Sequence, residues 1–158
     1  MAATSRVKPI HLPGVIDRET SLASYTTLRD TIAWEDSITG KLGYTRKAKP
    51  MRLGDNEVVD LLIATAISAL GLDSATVGFV YLNYYRDGND YCPNHTHKRE
   101  GTNQVVISLG ATRTLKMATK DYEVASGDVA MFGPSTLHGV AKQTEIKEGR
   151  ISIACFLI

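Results

Sequence analysis

The change of residue pattern at Gly71 restricts the fold of this chain more than any other feature of its sequence. Before Gly71, apolar residues recur at the three- and four-residue spacing of amphipathic helices. After it, short segments rich in Val, Ile, Tyr, Phe and Thr are separated by Gly, Asp, Asn and Ser, which is typical of strands joined by turns. The 158 residues are enough for one domain. We therefore expect a single domain over 1–158, with a helical and lid part over about 1–75 and a strand-rich core over 76–158.

Two helices are predicted ahead of the strands. Asp17 is a suitable N-cap for a helix that runs to about Trp34. A second helix begins at Asp55 or Asn56, continues through VVDLLIATAISAL and ends at Gly71. Strands are expected at roughly 76–85, 103–109, 112–118, 121–124, 128–132, 137–142 and 150–157. This order predicts a mainly β fold (α+β), an antiparallel sandwich or jelly roll on which the two N-terminal helices pack.

Composition and charge exclude several classes of protein. Hydrophobic residues are 43% and charged residues 22% of the chain, which is ordinary for a globular domain, and no apolar run approaches the length of a membrane span. The N-terminus lacks the apolar run of a secretory signal, so we expect an intracellular protein, cytoplasmic or, in a eukaryote, nuclear. Five basic and no acidic residues lie between Lys41 and Arg52, in a segment that is either a solvated loop or a phosphate-contacting lid.

Three of the four histidines have the spacing of a metal site. His95 and His97 stand two residues apart in CPNHTHK, so in a strand both imidazoles would face the same side. His138 follows on another predicted strand, in GPSTLHGV. Imidazole is the commonest neutral metal ligand near pH 7, and three of them suit Fe, Zn, Ni or Cu. Cys92 is close enough in sequence to offer a thiolate instead.

Four segments of the second half of the chain follow one another in a distinctive order and spacing: NYYRDGNDYCPNHTHK, VVISLGATRTLKM, YEVASGDVAMFGPSTLHGV and RISIACF. In this order and spacing they resemble the AlkB family of 2-oxoglutarate dioxygenases. The resemblance covers about residues 10–158 and is strongest from Asn83 onward. It implies a double-stranded β-helix, which agrees with the jelly roll expected from the strands.

The resemblance also implies roles for particular residues. His95 and His138 match the two histidine ligands of Fe(II). Asn83 and Tyr85 match an N-x-Y pair that hydrogen-bonds 2-oxoglutarate, and Arg150 matches the arginine that pairs with the far carboxylate of this co-substrate. A guanidinium binds a carboxylate in a bidentate manner, and a phenol with an amide can fix its orientation.

Two positions depart from the family pattern. His97 stands where the family has an aspartate ligand, which gives a candidate metal set of His95, His97 and His138. Phe156 stands where the family has a second arginine near the metal. Loss of an anion together with a neighbouring cation leaves neither charge unpaired in a buried site. Three histidines still leave three positions of an octahedral ion open, as two histidines and a carboxylate do.

These observations lead to three hypotheses of function. The first is Fe(II)/2-oxoglutarate-dependent oxidation of a nucleic-acid base, by demethylation or methyl hydroxylation, with the Lys41–Arg52 segment as a lid that contacts DNA or RNA. Lys98, Arg99 and Arg113 would then add phosphate contacts near the pocket mouth. The second is a catalytically inactive nucleic-acid-binding module with a structural metal. The third is a three-histidine metal oxygenase that acts on a small molecule. No membrane and no obligate protein partner are expected.

Overall fold

The structure, a computed structural model, describes residues 8–73 and 76–158. Residues 1–7, on which part of the expected location rests, lie outside the described residues. Among the described helices, none is long and apolar enough to cross a membrane. The helices are α1 (Arg18–Thr31) and α2 (Glu57–Ala69). The strands are β1 (Ile10–Leu12), β2 (Glu35–Ile38), β3 (Tyr44–Met51), β4 (Val77–Tyr85), β5 (Cys92–His95), β6 (Gln104–Gly110), β7 (Arg113–Met117), β8 (Lys120–Val124), β9 (Val129–Phe132), β10 (His138–Val140) and β11 (Arg150–Leu157).

Both helices begin where a side-chain cap was predicted. A carboxylate oxygen of Asp17 accepts a hydrogen bond from the backbone N–H of Thr20 at 2.8 Å, and the side chain of Asn56 accepts one from Val59 at 3.1 Å. Each bond satisfies a backbone donor that the first turn of a helix leaves free. Helix α1 ends at Thr31, a few residues before the predicted end at Trp34.

The strands form two antiparallel sheets that face each other. The large sheet has the order β1-β9-β6-β11-β4-β3-β2, and the small sheet has the order β5-β10-β7-β8. Because successive side chains of a strand point to opposite faces, the large sheet supplies two cores. Its outer face packs against the helices through residues such as Leu82, Ile107 and Ile153. Its inner face packs against the small sheet through residues such as Val106 and Ala154. The predicted jelly roll with two packed helices is confirmed.

The prediction of a helical and lid part over about 1–75 is corrected, because three strands precede Val77. Most of the Lys41–Arg52 segment, expected as a lid or loop, is β3, which pairs with β2 on one side and with β4 on the other. Lys47 forms an ion pair with Asp36, and Lys49 pairs with Glu35 at 2.8 Å. Lys47 and Lys49 are thus matched by acidic side chains on the neighbouring strand, and opposite charges across a strand pair stabilise it.

After Gly71, the predicted strands lie within about two residues of the observed ones, with one omission. Strand β5, Cys92–His95, was not predicted because its residues CPNH include a proline and an asparagine, which are rare in strands. It is an edge strand of the small sheet, paired only with β10 among the described strands. An edge strand tolerates proline because one row of its backbone groups has no ladder partner.

Candidate functional site

A cavity of about 340 Å³ lies between the two sheets. All six residues singled out from the sequence line it: Asn83, Tyr85, His95, His97, His138 and Arg150. The small sheet and the segment after β5 supply the histidines, whereas the large sheet supplies the other three residues. A volume near 340 Å³ is at the small end of the range for small-molecule sites.

The inner face of the large sheet forms the cavity wall as cross-strand rows. The rows in register are Phe132–Gln104–Phe156–Phe79, then Ala130–Val106–Ala154–Tyr81, then Ser108–Ser152–Asn83, and finally Arg150–Tyr85. We call the first row the aromatic row and the last two rows the polar end. Rows two residues apart are about 7 Å from each other. The wall thus changes from aromatic to strongly polar along the strands.

The three histidines converge on one point. Their ligand nitrogen atoms all lie within 4.8 Å of one another, and Nε2 of His95 is 3.1 Å from Nε2 of His97. Two nitrogens bound at right angles to one ion at about 2.1 Å would be about 3.0 Å apart. The separation of the two Nε2 atoms therefore matches what a shared metal ion requires.

The other ring nitrogens have backbone or carboxylate neighbours that fix the imidazoles. Nδ1 of His95 lies 2.8 Å from the carbonyl oxygen of Pro93, and Nδ1 of His138 lies 2.9 Å from that of Thr136. Each Nδ1–H can donate to its carbonyl oxygen, which leaves the lone pair of Nε2 free to bind a metal ion. Nδ1 of His97 lies 3.6 Å from the Glu100 carboxylate, a longer contact on the exposed side. Such partners on the far nitrogen are typical of histidines that bind metals.

A glycine beside His138 permits this convergence. His138 of β10 is the register partner of His95 of β5. A Cβ atom on Gly139 would lie 2.3 Å from Oδ1 of Asn94 and 2.9 Å from the carbonyl oxygen of Cys92. Only a residue without a side chain lets β5 approach β10 so closely, and this approach brings the imidazoles together.

Burial keeps two of the imidazoles neutral. Desolvation lowers the pKa of His138 to about 3, and it also lowers the pKa of His97, with a further contribution from His95. The pKa of His95 is raised, first through its contact with Cys92 and against the effect of burial. A neutral imidazole is the form that binds a metal, so His138 and His97 are ready to act as ligands at neutral pH.

Arg150 is a buried cation with unused hydrogen-bond donors. Arg150 is 1% exposed, and its Nη2 donates to Oγ of Ser108 at 2.8 Å. Its Nε and Nη1 atoms have no hydrogen-bond partner among the described residues. Burial lowers the pKa of this guanidinium. A buried guanidinium that lacks a carboxylate partner and lines a cavity is suited to bind an anionic ligand.

Tyr85 lies beside both Arg150 and a second buried arginine, Arg113. The two guanidinium carbons lie 5.3 and 5.4 Å from the centre of the Tyr85 ring, respectively. Desolvation raises the pKa of Tyr85 to about 12, so its hydroxyl stays protonated. Arg113, in contrast to Arg150, donates to the carbonyl oxygens of Asp87, Asp90 and Ala141 and to the Gln143 side chain. Arg113 is 1% exposed, and its hydrogen bonds connect the loops that contain Asp87, Asp90 and Ala141. The expectation that Arg113 contacts phosphate at the pocket mouth is therefore wrong.

Arg46 is a site residue that the sequence did not single out within the basic segment. It lines the cavity, and its Nε donates to Oδ1 of Asn83 at 2.7 Å. Because this bond uses the oxygen of the amide, the Asn83 Nδ2 group points the other way, toward Ser152 at 3.4 Å. Alternation along β3 and the pairing with β4 place Arg46 beside Asn83, but the strand itself was not predicted.

The two departures from the family pattern are in contact with each other. The rings of His97 and Phe156 have centroids 5.0 Å apart and meet edge to face. Phe156 is 8% exposed and belongs to the aromatic row. An imidazole without charge against a phenyl ring is a favourable arrangement. The contact between His97 and Phe156 thus involves no charged group when His97 is neutral.

Comparisons with known proteins concern the fold. No protein-family model and no curated protein sequence matches the chain. A prolyl-4-hydroxylase of Pseudomonas putida is 14% identical, with a TM-score of 0.73, and the match covers 94% of this chain and 91% of that one. SnoN, a non-heme α-ketoglutarate-dependent epimerase from nogalamycin biosynthesis, is 12% identical, with a TM-score of 0.74 and coverage of 97% and 78%. An oxidoreductase of the 2OG-Fe(II) oxygenase family from Burkholderia pseudomallei is 15% identical, with a TM-score of 0.65 and coverage of 94% and 84%. The chain therefore has the fold of 2-oxoglutarate/Fe(II) oxygenases.

Proposed function

We propose that this chain is an Fe(II)- and 2-oxoglutarate-dependent dioxygenase. One observation carries the proposal: a single cavity holds a three-histidine cluster and, on the wall opposite, a buried arginine with unused donors. The first feature suits a metal ion and the second suits a carboxylate. The likeness in fold to oxygenases that use the same pair of cofactors supports it.

His95, His97 and His138 would hold the metal through their Nε2 atoms. Bound Fe(II) with 2-oxoglutarate and O2 supplies the oxidising chemistry, in which 2-oxoglutarate becomes succinate and CO2 while a C–H bond is oxidised. The carbonyl oxygens of Pro93 and Thr136 would hold the neutral imidazoles of His95 and His138 in the tautomer that carries its proton on Nδ1. This arrangement orients the ligands before the metal binds.

The polar end would bind 2-oxoglutarate. Arg150 offers a carboxylate two donor atoms, Nε and Nη1, that have no partner in the described part of the chain, and Tyr85 offers a hydroxyl that stays protonated because its pKa is about 12. Asn83 offers its Nδ2 group because Arg46 holds the amide oxygen. Arg46 and Arg150 are cavity-lining cations, while Glu100 is the cavity-lining carboxylate among the described residues. A positive cavity favours a dianion such as 2-oxoglutarate.

The aromatic row would shield the reaction from water. Phe132 packs on His138 with ring centroids 4.3 Å apart, and Phe156 packs on His97. Both phenylalanines are at most 8% exposed. Exclusion of water from an oxygenase site prevents side reactions and strengthens the polar contacts to the co-substrate.

For the substrate we propose a nucleic-acid base, oxidised at a methyl group. The AlkB-like motifs support this choice, and the aromatic row offers surfaces on which a base can stack. A cavity of about 340 Å³ has room for one extruded base, so the base would have to leave a duplex or come from a single strand. Tyr44 at the start of β3 is 65% exposed and would offer a second base a stacking surface outside the cavity.

A small molecule is the second candidate substrate. Lys47 and Lys49 are paired with acidic side chains, which leaves them less available for phosphates. The solved structures of similar fold include a prolyl hydroxylase and two enzymes of nogalamycin biosynthesis, an epimerase and a carbocyclase. The same metal and co-substrate sites would serve either substrate.

Mass spectrometry distinguishes these candidates. The purified protein is incubated with Fe(II), 2-oxoglutarate and air together with single-stranded oligonucleotides that contain N-methylated adenine or cytosine, thymine or 5-methylcytosine. Loss of one methyl group or gain of one oxygen, coupled to succinate, supports the nucleic-acid proposal. Succinate without a change in any oligonucleotide favours a small molecule. Salt-dependent oligonucleotide binding with bound metal but without succinate favours the inactive binding module.

A further inference from the structure

The Gln104 side chain carries an unused acceptor at the aromatic end of the cavity. Gln104 is 6% exposed and lines the cavity, and its Oε1 atom has no hydrogen-bond partner among the described residues. Buried amide oxygens are paired in the great majority of cases. Arg150 of β11 and Tyr85 of β4, which would account for the binding of a carboxylate, lie three register rows away from Gln104 of β6. A co-substrate anchored at the polar end therefore does not explain this atom.

The neighbours of Gln104 define the shape of what can bind there. In the register of the sheet, Gln104 lies between Phe132 and Phe156, and Phe79 is the next residue of the row. The Phe79 and Phe156 rings are 5.8 Å apart and inclined by 43°. Phe79 is 42% exposed, so the row runs from the interior to the mouth of the cavity. Flat aromatic walls beside a single amide favour a flat ring with a polar edge.

The row also lies next to the candidate metal ligands. Phe132 packs on His138 at 4.3 Å, and Phe156 packs on His97 at 5.0 Å between ring centroids. A group held against Phe156 and Gln104 is consequently close to the point where the three imidazoles meet. A substrate must lie near this point for its C–H bond to be oxidised, and 2-oxoglutarate, which has no N–H group, cannot donate to Oε1 of Gln104.

We infer that Gln104 and the aromatic row form a recognition subsite for a flat nitrogen heterocycle, whose edge N–H donates to Oε1 of Gln104 while its face stacks on Phe79 and Phe156. The inference rests on the proposed function, of which it defines the substrate class. Glutamine amides recognise the amino and ring nitrogens of adenine, and every base offers a face for stacking. An amino group on the ring is the donor that the orphaned oxygen needs.

Equilibrium binding of two matched probes tests the inference. The probes are fluorescent single-stranded pentanucleotides with one central base and abasic flanks; the central base is adenine in one and purine, which lacks the amino group, in the other. Anisotropy is measured under nitrogen with protein loaded with Mn(II) and 2-oxoglutarate. The adenine probe should bind about 5- to 100-fold more tightly, because the purine leaves Oε1 unpaired.

Two variants separate hydrogen bonding from stacking. Gln104→Met keeps the length of the side chain and removes the amide, so the two probes should then bind within about twofold of each other. Phe79→Leu removes a half-exposed stacking surface and should weaken both probes by about 5- to 100-fold without changing their ratio. Three results would overturn the inference. They are equal binding of both probes to the native protein, binding of neither probe, and a preference for adenine that persists in Gln104→Met. Succinate formation by the same three proteins, measured separately with Fe(II) and 2-oxoglutarate in air, reports on the dioxygenase proposal, because it needs no base in the subsite.

Discussion

The two buried arginines beside Tyr85 should respond in opposite ways to the same substitution. Arg150 has two donor atoms without a partner among the described residues, whereas Arg113 gives its donors to carbonyl oxygens and to Gln143. Their distances to the Tyr85 ring centre are 5.3 and 5.4 Å, and each is 1% exposed. The two side chains are thus matched in exposed fraction and in distance to Tyr85, but they differ in the use of their donors and in access to the cavity.

Arg150→Met should abolish the binding of 2-oxoglutarate without lowering the stability of the ligand-free protein. Two charge-assisted hydrogen bonds of about 1.5–3 kcal/mol each are lost, which weakens binding by roughly 100- to 10,000-fold. An unpaired buried charge costs stability, so its removal should leave the melting temperature of the ligand-free protein unchanged or higher.

Arg113→Met should do the reverse. The carbonyl oxygen of Asp90 loses a buried hydrogen bond, and those of Asp87 and Ala141 lose partly buried ones. A buried acceptor without a donor costs about 1–3 kcal/mol, so the free energy of unfolding should fall by about 2 kcal/mol. The affinity of the folded protein for 2-oxoglutarate should stay within a fewfold of the native value, because Arg113 offers no free donor to a ligand.

Thermal unfolding with and without 2-oxoglutarate, in Mn(II) under nitrogen, measures both effects. In the native protein, ligand at 100 times Kd adds about 2.7 kcal/mol, or roughly 5–10 °C for a chain of this size. Arg113→Met should retain this shift from a lower starting temperature, and Arg150→Met should lose it. An Arg150→Met protein that binds 2-oxoglutarate nearly as well as the native one would refute the assignment of the polar end.

Three further predictions concern other parts of the site. Because His97 and Phe156 are in contact, His97→Asp and Phe156→Arg should be coupled: the double variant should retain Fe(II) better than the sum of the single effects predicts, by at least about 1 kcal/mol in a double-mutant cycle. Strictly additive effects in metal titrations would contradict this. Arg46→Met should weaken 2-oxoglutarate binding by about fivefold, because the Asn83 amide loses its fixed orientation. The control is the adjacent substitution Lys47→Met, which removes the ion pair with Asp36 and should leave 2-oxoglutarate binding unchanged. Calorimetric titration of both variants with 2-oxoglutarate measures the difference. For the Cys92 thiol, burial raises the pKa, but the contacts with His95 and Arg46 lower it overall, whereas burial raises the pKa of Cys155 to about 12. Thiolates are the reactive form, so alkylation followed by peptide mapping should label Cys92 first and should slow when 2-oxoglutarate fills the cavity; equal labelling of both thiols would count against this geometry.

The parts of the fold that were predictable are those whose residue pattern is set by the local backbone or by burial. Asp17 and Asn56 are caps whose function needs only the local backbone, and the mostly apolar runs of β6 and β11 come from burial of both faces of the large sheet. Strand β3 was missed because its lysines are matched by acids of β2, which lie far enough away in sequence that no local pattern connects them. Tertiary pairing thus overrode a composition typical of a loop.

The candidate site was predictable where residues carry recognisable chemistry. The spacing of His95 and His97 indicated convergence, although only His95 lies in a strand and His97 follows its end. Arg150, Asn83 and Tyr85 came from the family resemblance, and the structure places them on one wall of the cavity. Arg46 and Gln104 could not be identified from the sequence, because their proposed roles in the site depend on the hydrogen-bond partners that the described residues provide for Arg46 but not for Oε1 of Gln104. Alternation within β6 would place Gln104 on the same face as Val106 and Ser108, but only the register shows that it lies beside Phe156.

The most direct test of the central claim is the release of labelled CO2 from 2-oxoglutarate carrying the label on its C1 carboxyl group. The native protein with Fe(II) and air should release CO2 and form succinate in equal amounts, and metal removal by a chelator or the substitution His138→Ala should stop both. Arg113→Met, compared at a temperature where it is folded, should retain the reaction. A native protein that binds Fe(II) and 2-oxoglutarate in the cavity, yet releases no CO2 in air with any base or small molecule supplied, would contradict the assignment of this chain as a dioxygenase.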